Sequence, residues 1–467
     1  MENLLPIILF STPFAVLTVT FIYFKRLKRL FLSRLITNRM GDGYIYSSLV
    51  TEKICDYVLR AKKSKRQTFI KSLIKNDIKV FNKQIEDANI RVYTDICRGK
   101  KIRTNIKDEL YLLILAKYYL KENRYDDSLK VLQKINLKKL NSKQSIYFRF
   151  LMAQISLFEG DLQIASEDLN IVLKFFKKKK MLIEEAETYF VLGTIYRISG
   201  VYDTADFMLR ASLDIYEYIG LCQCQAEVLG TLGLLMSVQN RFEEAESYYQ
   251  KALTKANNAK PLKEFILLQQ AMLNLLQKAN KKALKIAKEV LHTTQDNIVM
   301  ASACDILSRI NLNEKKYSSS VKYAAKAADI FFQHRNYASS FESMYLKAIA
   351  LSEDLKLNKS EETLRWLIEQ DRKHKSCFQI ASAQTLLGIV LLKKGENQRA
   401  KAVFNQALSK ELCNNRNIGV AIDYANLAIV EKAQGNMIEA NIKLQKAIEL
   451  AKDTDNELLN ILKNMID

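Results

Sequence analysis

The stretch YFVLGTIYRISGVYDTADFMLRASL, residues 189–213, decides the fold class, because small residues recur inside an otherwise helical pattern. A second stretch forty residues on, VLGTLGLLMSVQNRFEEAESYYQKAL at 228–253, repeats them at the same offsets. The matching positions are Gly193 with Gly233, Gly200 with Asn240, and Ala205 with Ala245. Glycine weakens a helix, so its return at a fixed spacing predicts a repeated structural unit.

The repeat extends over most of the chain, with nine units that begin 37 to 40 residues apart. Each unit has a small residue near the middle of a first helix: Ala116, Ala153, Gly193, Gly233, Ala271, Ser308, Ala348, Gly388 and Ala428. Twelve residues later a second small residue follows: Ser128, Ala165, Ala205, Ala245, Ala283, Ser320, Ser360, Ala400 and Ala440. Apolar residues four positions further on predict a second helix in every unit.

The composition favours long helices, since 467 residues contain only 3 Pro and 13 Gly. The formal net charge is +21, which is typical of proteins that bind nucleic acid. Residues 25–109, however, carry 22 basic and 9 acidic side chains, so much of the charge lies in one segment. This uneven distribution argues against a nucleic-acid partner for the repeats.

Residues 4–24, LLPIILFSTPFAVLTVTFIYF, form an uncharged run long enough to span a membrane. The basic stretch KRLKRLFLSR follows at once, which predicts a retained anchor with the N-terminus outside and the rest of the chain in the cytoplasm. Four side chains there, Lys25, Arg26, Lys28 and Arg29, are candidates to contact anionic lipid. A solvated connector that serves only as a topology signal is the alternative.

Motifs for catalysis or cofactor binding are missing from the sequence, which has no phosphate loop, H-E-x-x-H or nucleophile elbow. Three histidines and seven scattered cysteines leave little for acid–base or metal chemistry. Cys222 and Cys224 form a lone CxC, for which small buried helix residues are favoured over a metal site. Trp366 is interpreted as a core residue of a second helix. We expect no cofactor and no enzymatic activity.

The repeat resembles the tetratricopeptide repeat family, whose pattern pairs L-G in a first helix with a later alanine, an aromatic or aliphatic residue and a further alanine. Here LGTIYRISGVYDTADFMLRAS, LGLLMSVQNRFEEAESYYQKA, LGIVLLKKGENQRAKAVFNQA and LAIVEKAQGNMIEANIKLQKA carry the likeness. The period is longer than the family's usual 34 residues, so the extra residues must add about one and a half helical turns or lengthen a loop.

The resemblance implies an all-α fold, a right-handed superhelical solenoid of about nine helix-turn-helix repeats preceded by one transmembrane helix. Its expected segments are an anchor at 1–24, a basic juxtamembrane helical region at 25–108, the solenoid at 109–452 and a capping helix at 453–467. Gly160, Gly200, Gly395 and Gly435 fall seven residues after the first small residue, where a first helix should end in a left-handed conformation.

The family also implies a partner groove on the first helices, at positions three before and one and four after the central small residue. Residues at these positions are Lys117, Phe150, Gln154, Phe190, Thr194, Arg197, Leu268, Met272, Asp305, Arg309, Tyr345 and Lys432. Arg197 and Arg309 are candidates to receive acidic groups of a peptide.

The leading hypothesis is a membrane-tethered protein-interaction scaffold whose groove binds a partner peptide or helix. The layout is similar to that of membrane-anchored tetratricopeptide proteins of bacterial envelope assembly, which predicts the bacterial inner membrane. An organellar outer-membrane receptor for incoming proteins would share the same layout. The alternative is a regulatory solenoid that binds nucleic acid or a signalling peptide.

Overall fold

A computed structural model describes residues 55, 57, 108–121, 124–159, 161–256, 259–374, 380–413, 417–452 and 456–464. These residues form 19 α-helices and one short 3-10 helix, and contain no strand. The predicted all-α helical repeat is confirmed. The helices are α1 Glu109–Lys121, α2 Tyr125–Leu132, α3 Ser142–Phe158, α4 Leu162–Lys179, α5 Leu182–Ile198, α6 Tyr202–Ile219, α7 Cys222–Val238, α8 Phe242–Lys255, α9 Lys260–Leu276, α10 Asn280–Thr293, α11 Asn297–Asn313, α12 Tyr317–Gln333, α13 Tyr337–Glu353, α14 Leu357–His374, α15 Ile380–Lys393, α16 Asn397–Cys413, α17 Asn417–Ala433, α18 Met437–Ala451 and α19 Asn456–Lys463.

Odd-numbered helices up to α17 are the first helices of the nine repeats, and even-numbered helices are the second helices. Most of them have 14 to 18 residues, and the links are short: only residues 199–201 separate α5 from α6. The residues beyond the usual period of the family therefore lengthen the helices and not the loops. This settles the alternative that the sequence left open.

The chain divides into two compact units, and the division falls between Ile266 and Leu267, within α9. In the first unit, consecutive helices from α4 to α8 pack on one another, and so do consecutive helices from α10 to α19 in the second. First helices of neighbouring repeats also contact each other, as α5 and α7 do in the first unit and α11 and α13 in the second. Each helix thus covers its apolar stripe with its neighbours.

The central small residues lie where the two helices of a repeat cross. A Cβ atom on Gly193 would lie 2.7 Å from Leu209 Cγ, and one on Gly388 would lie 2.5 Å from Phe404 Cε1. Both distances are far below van der Waals contact, so only glycine lets these helix pairs approach so closely. The interpretation of the glycines as packing residues is confirmed at these positions.

The first helices end in a left-handed residue, as predicted for Gly200, Gly395 and Gly435, which have φ values of 78°, 79° and 81°. Gly160 lies outside the described residues. The same position takes positive φ in four repeats that have no glycine there: at Asn240, Lys278, Lys315 and Leu355. At Gly200 the amide donates to the Arg197 carbonyl and the next amide donates to the Tyr196 carbonyl, which satisfies the end of the helix.

Candidate functional site

A cavity of about 380 Å³ opens in the first unit, lined mainly by the first helices α1, α3, α5 and α7. We call it the first-helix cavity. Three of the residues at the expected groove positions are among those that line it. The lining residues are Lys117, Leu120, Lys121, Gln154, Ile183, Glu187, Phe190, Val191, Tyr216, Cys224 and Glu227.

An ion pair crosses this cavity between the first and the third repeat. The Lys117 Nζ atom lies 2.5 Å from Glu187 Oε2, although the two residues are 70 positions apart. Lys117 is only 7% exposed, and its ammonium also lies 5.9 Å from the ring centroid of Tyr147. A lysine so deeply buried needs a partner charge, so the pair holds α1 and α5 at a fixed spacing across the cavity.

The remaining wall combines apolar and hydrogen-bonding groups. Leu120, Phe190 and Val191 contribute apolar surface, while Lys121 and Glu227 add one charge of each sign. The Gln154 Nε2 amide is buried and has no hydrogen-bond partner among the described residues. An unsatisfied buried donor is unfavourable, so a ligand carbonyl that reaches this amide gains affinity.

Two titratable groups of the cavity are held in their neutral forms. Burial raises the pKa of the Cys224 thiol well above its usual value, and the carboxylate of Glu227 raises it further. Burial likewise raises the pKa of the Tyr216 phenol. Since the thiolate is the nucleophilic form of cysteine, Cys224 is a poor nucleophile here.

Only some of the predicted groove residues of the first unit line the cavity. Lys117, Gln154 and Phe190 line the first-helix cavity. Thr194 is half-buried on α5 and donates its hydroxyl to the Phe190 carbonyl of its own helix at 3.0 Å. Phe150 lies in the core, fully buried, with its ring centroid 5.7 Å from that of Phe176, so it does not line the cavity.

Arg197 stands on α5 one turn beyond Thr194 and is half-buried. Burial lowers the pKa of its guanidinium, against a smaller opposite effect of Tyr249 and Tyr202. Its Nε atom has no hydrogen-bond partner in the described part of the chain. The side chain therefore keeps donors for an acidic group.

Arg309, in the second unit, is already paired. Its Nε atom donates to Asp305 at 2.8 Å and its Nη2 atom to Glu342 at 2.6 Å. Burial lowers the pKa of Arg309, but these two carboxylates outweigh it and raise the pKa overall. An acidic peptide group must displace one of these carboxylates to bind here. The main role of Arg309 is therefore to connect α11 with α13.

The other two predicted site residues contribute mainly to packing. Met272 is half-buried against the core cluster of Leu268, Ala271 and Leu307. Tyr345 is half-buried, and burial raises the pKa of its phenol. Of the further groove positions, Leu268 is buried and Lys432 is exposed.

The groove positions predicted from the sequence, three before and one and four after the central small residue, did not include the acidic residues of the cavity. Glu187 and Glu227 lie six positions before the central small residues of their repeats, one turn before the first of those positions. Glu342, the partner of Arg309, occupies the same position in its repeat. Residues three apart lie on the same helix face, so extending the stripe by one turn would have found all three.

The expected membrane localisation is corrected. In the part of the chain that the structure describes, no helix is long and apolar enough to cross a membrane. The physical reason is the amphipathic character of these helices: α6, for example, has the exposed charged residues Asp203 and Arg210 on the side away from its buried stripe. Residues 4–24, and the lysines and arginines at 25, 26, 28 and 29, lie outside the described residues.

The CxC pair does not act as one site. Cys222 is exposed, whereas Cys224 is buried, because neighbours two apart on a helix point in different directions. No group of three metal-ligating side chains occurs among the described residues. Trp366, interpreted as a core residue, is 37% exposed.

The comparisons with known proteins bear on the fold. A tetratricopeptide repeat model matches residues 381–409, and no curated protein matches the sequence. The crystal structure of a Rap protein complexed with competence and sporulation factor is similar, with a TM-score of 0.51 and 13% identity, over 75% of this chain and 98% of that one. Yeast Tom70 is similar with a TM-score of 0.50 and 13% identity, over 88% of this chain and 95% of that one. The family match and these structures support a tetratricopeptide repeat fold for this chain.

Proposed function

We propose that the protein is a non-catalytic scaffold that binds a protein partner, and that a segment of the partner occupies the first-helix cavity. One observation carries the proposal: four first helices converge on a single cavity that presents charged, amide and aromatic groups together. Such a mixture suits a polypeptide, which brings backbone carbonyls as well as apolar side chains.

The groups of the cavity have separate tasks in this proposal. The ion pair of Lys117 and Glu187 links α1 to α5. Gln154 offers its amide to a partner carbonyl, and Phe190 receives an apolar side chain. Arg197 takes an acidic residue of a longer segment. The Rap structure was solved as a complex with competence and sporulation factor, which supports a binding role for a fold of this kind.

A signalling peptide is a partner of the same chemistry and would occupy the same cavity. Nucleic acid is disfavoured by the charge of the walls, where Lys117 and Lys121 are matched by Glu187 and Glu227. Phosphate recognition needs an excess of positive charge. The protonated Cys224 supports a role without covalent chemistry.

The experiment is site-specific photocrosslinking of the full chain in the cells that make it. A photoreactive phenylalanine replaces Phe190 in one version and Phe207, which is 64% exposed on α6, in the control. We expect a protein adduct from position 190 and not from position 207.

A matched pair of variants tests whether the cavity itself is responsible. Gln154→Trp fills the cavity, and Gln163→Trp places the same ring on the exposed face of α4. The adduct should disappear with the first substitution and persist with the second. Equal labelling from positions 190 and 207, or capture of nuclease-sensitive material, would contradict the proposal.

A further inference from the structure

The second unit contains a groove around the tryptophan of α14. Two adjoining cavities, of about 660 and 310 Å³, share Met344, Lys347 and Trp366. We call them together the Trp366 groove. Its larger part is lined by Ser318, Val321, Met344, Lys347, Leu351, Lys356, Lys359, Glu362, Thr363 and Trp366, and its smaller part adds Ala325, Ala328, Asp329, Phe332, Gln333 and Ser340.

The groove runs between two second helices, with α13 as its floor. Its residues on α12 extend from Ser318 to Gln333, a distance of about 22 Å at the helical rise per residue. That length equals about six or seven residues of extended chain. A peptide fills such a groove, whereas a small molecule leaves most of it empty.

Trp366 forms a rigid aromatic wall. Its ring lies 6.1 Å from that of Phe332 and 6.3 Å from that of Phe341, measured between centroids. Phe341 is fully buried, yet 37% of Trp366 is exposed. A large aromatic side chain that packs against other rings and remains partly exposed is typical of an anchor point for an apolar partner side chain.

Charge is distributed unevenly along the groove. The larger part contains three lysines and one glutamate, and of these lysines only Lys356 has an ion pair among the described residues, with Asp354 at 2.5 Å. Lys347 and Lys359 have none there. The smaller part contains one carboxylate, that of Asp329. Lys356 and Lys359 line only the larger part, while Lys347 lies beside Met344 and Trp366 in the section that both parts share. The larger part is therefore the cationic one.

We propose that the Trp366 groove binds an acidic peptide segment of a partner protein, with acidic residues at Lys347 and Lys359 and an apolar side chain against Trp366. The occupant follows from the length of the groove, its charge and its exposed aromatic wall. The site is separate from the first-helix cavity, which lies in the other unit, so either site can exist without the other.

The test uses the intrinsic fluorescence of the full chain, because Trp366 is its only tryptophan. The probe is a synthetic seven-residue peptide with three glutamates followed by leucine and phenylalanine residues. We expect its titration to shift the Trp366 emission to shorter wavelength with saturation, since an apolar side chain displaces water from the ring. Peptide bound elsewhere on this basic chain leaves the emission unchanged.

Three controls define the result. A peptide with glutamines in place of the glutamates should bind at least tenfold more weakly. Lys347→Glu and Lys359→Glu should each weaken the acidic peptide severalfold, whereas Lys326→Glu, an exposed change of equal charge on α12 outside the groove, should not. Thermal unfolding of each variant verifies that it is folded.

The proposal is overturned if the acidic peptide leaves the emission unchanged, or if the glutamine peptide binds equally well. Equal weakening by Lys326→Glu would assign the effect to net charge alone. Benzoate serves as the probe for a small anionic ligand. If it shifts the emission at lower concentration than the peptide does, the groove is a small-molecule site and the peptide proposal fails.

Discussion

Gly233 of α7 faces the ring of Tyr249 of α8 so closely that a Cβ atom on Gly233 would lie 2.5 Å from Tyr249 Cε1. The Tyr249 hydroxyl lies 3.3 Å from Ser237 Oγ, one turn along α7. A large side chain on the second helix thus fills the space that the glycine leaves on the first. Gly388 likewise faces an aromatic ring, that of Phe404. Leucine occupies the partner position of Gly193, as Leu209, and of Ala348, as Leu364.

Gly233→Ala should destabilise the protein by about 1–2 kcal/mol, since the overpacking cost exceeds the gain in helix propensity. Adding Tyr249→Leu should restore part of that loss, because it recreates the Ala348–Leu364 combination. Urea unfolding of the two single variants and the double variant measures the coupling. Additive losses would show that the two side chains do not compete for the same space.

Leu355→Gly should stabilise the protein by about 0.5–1 kcal/mol. Leu355 ends α13 with φ of 55° and is 77% exposed, so glycine removes backbone strain and loses little packing. Gly395→Ala, at the same position of the next repeat, should cost about 1 kcal/mol, because the φ of 79° is unfavourable for alanine. Nothing lies within 4 Å of the added Cβ, so a steric clash does not contribute. Thermal unfolding compares the two, and stabilisation by both would contradict the conformational explanation.

Ser360→Ala should destabilise the protein by about 1 kcal/mol relative to Ser319→Ala. Ser360 is buried and donates to the Ala348 carbonyl at 2.8 Å, as Ser128 does to the Ala116 carbonyl at 2.9 Å. The loss follows from removing a buried hydrogen bond between helices. Ser319 is exposed on α12, so its substitution changes only helix propensity. Equal effects in chemical denaturation would show that the bond contributes nothing.

Asp423 should make stability decrease as pH rises. It is fully buried on α17. Burial raises its pKa from 3.8 to about 7; the hydrogen bond from Thr385 lowers the pKa, and the charge of Glu411 raises it. The folded state therefore binds a proton more tightly than the unfolded state, so this stabilisation is complete below pH 3.8 and is lost as pH approaches about 7.

Asp423→Asn should remove this dependence and stabilise the protein at pH 8 by about 2 kcal/mol. The asparagine oxygen can still accept the Thr385 hydroxyl, which lies 2.7 Å from Asp423 Oδ1. Unfolding free energies across this pH range compare the variant with Asp214→Asn, an exposed change on α6. A variant that keeps the slope of the unmodified protein would assign it to other groups.

The candidate site was predictable only in part. Lys117, Gln154 and Phe190 were placed at the groove by their offsets from the small residues, and the structure finds all three in one cavity. The same offsets cannot distinguish Phe190 from Phe150, because adjacent repeats turn the same position toward solvent or toward the core. Nor do they reveal that Arg309 is paired with Asp305 and Glu342.

The sequence by itself determined the repeat, its period and the ends of its helices, because these depend on local offsets between small residues and on the low content of proline and glycine. Only the tertiary structure decided which side chains meet across repeats. The Lys117–Glu187 pair and the exposure of Trp366 arise from the angle between stacked helices. That angle results from many side-chain contacts together, so it cannot be predicted from any single spacing in the sequence.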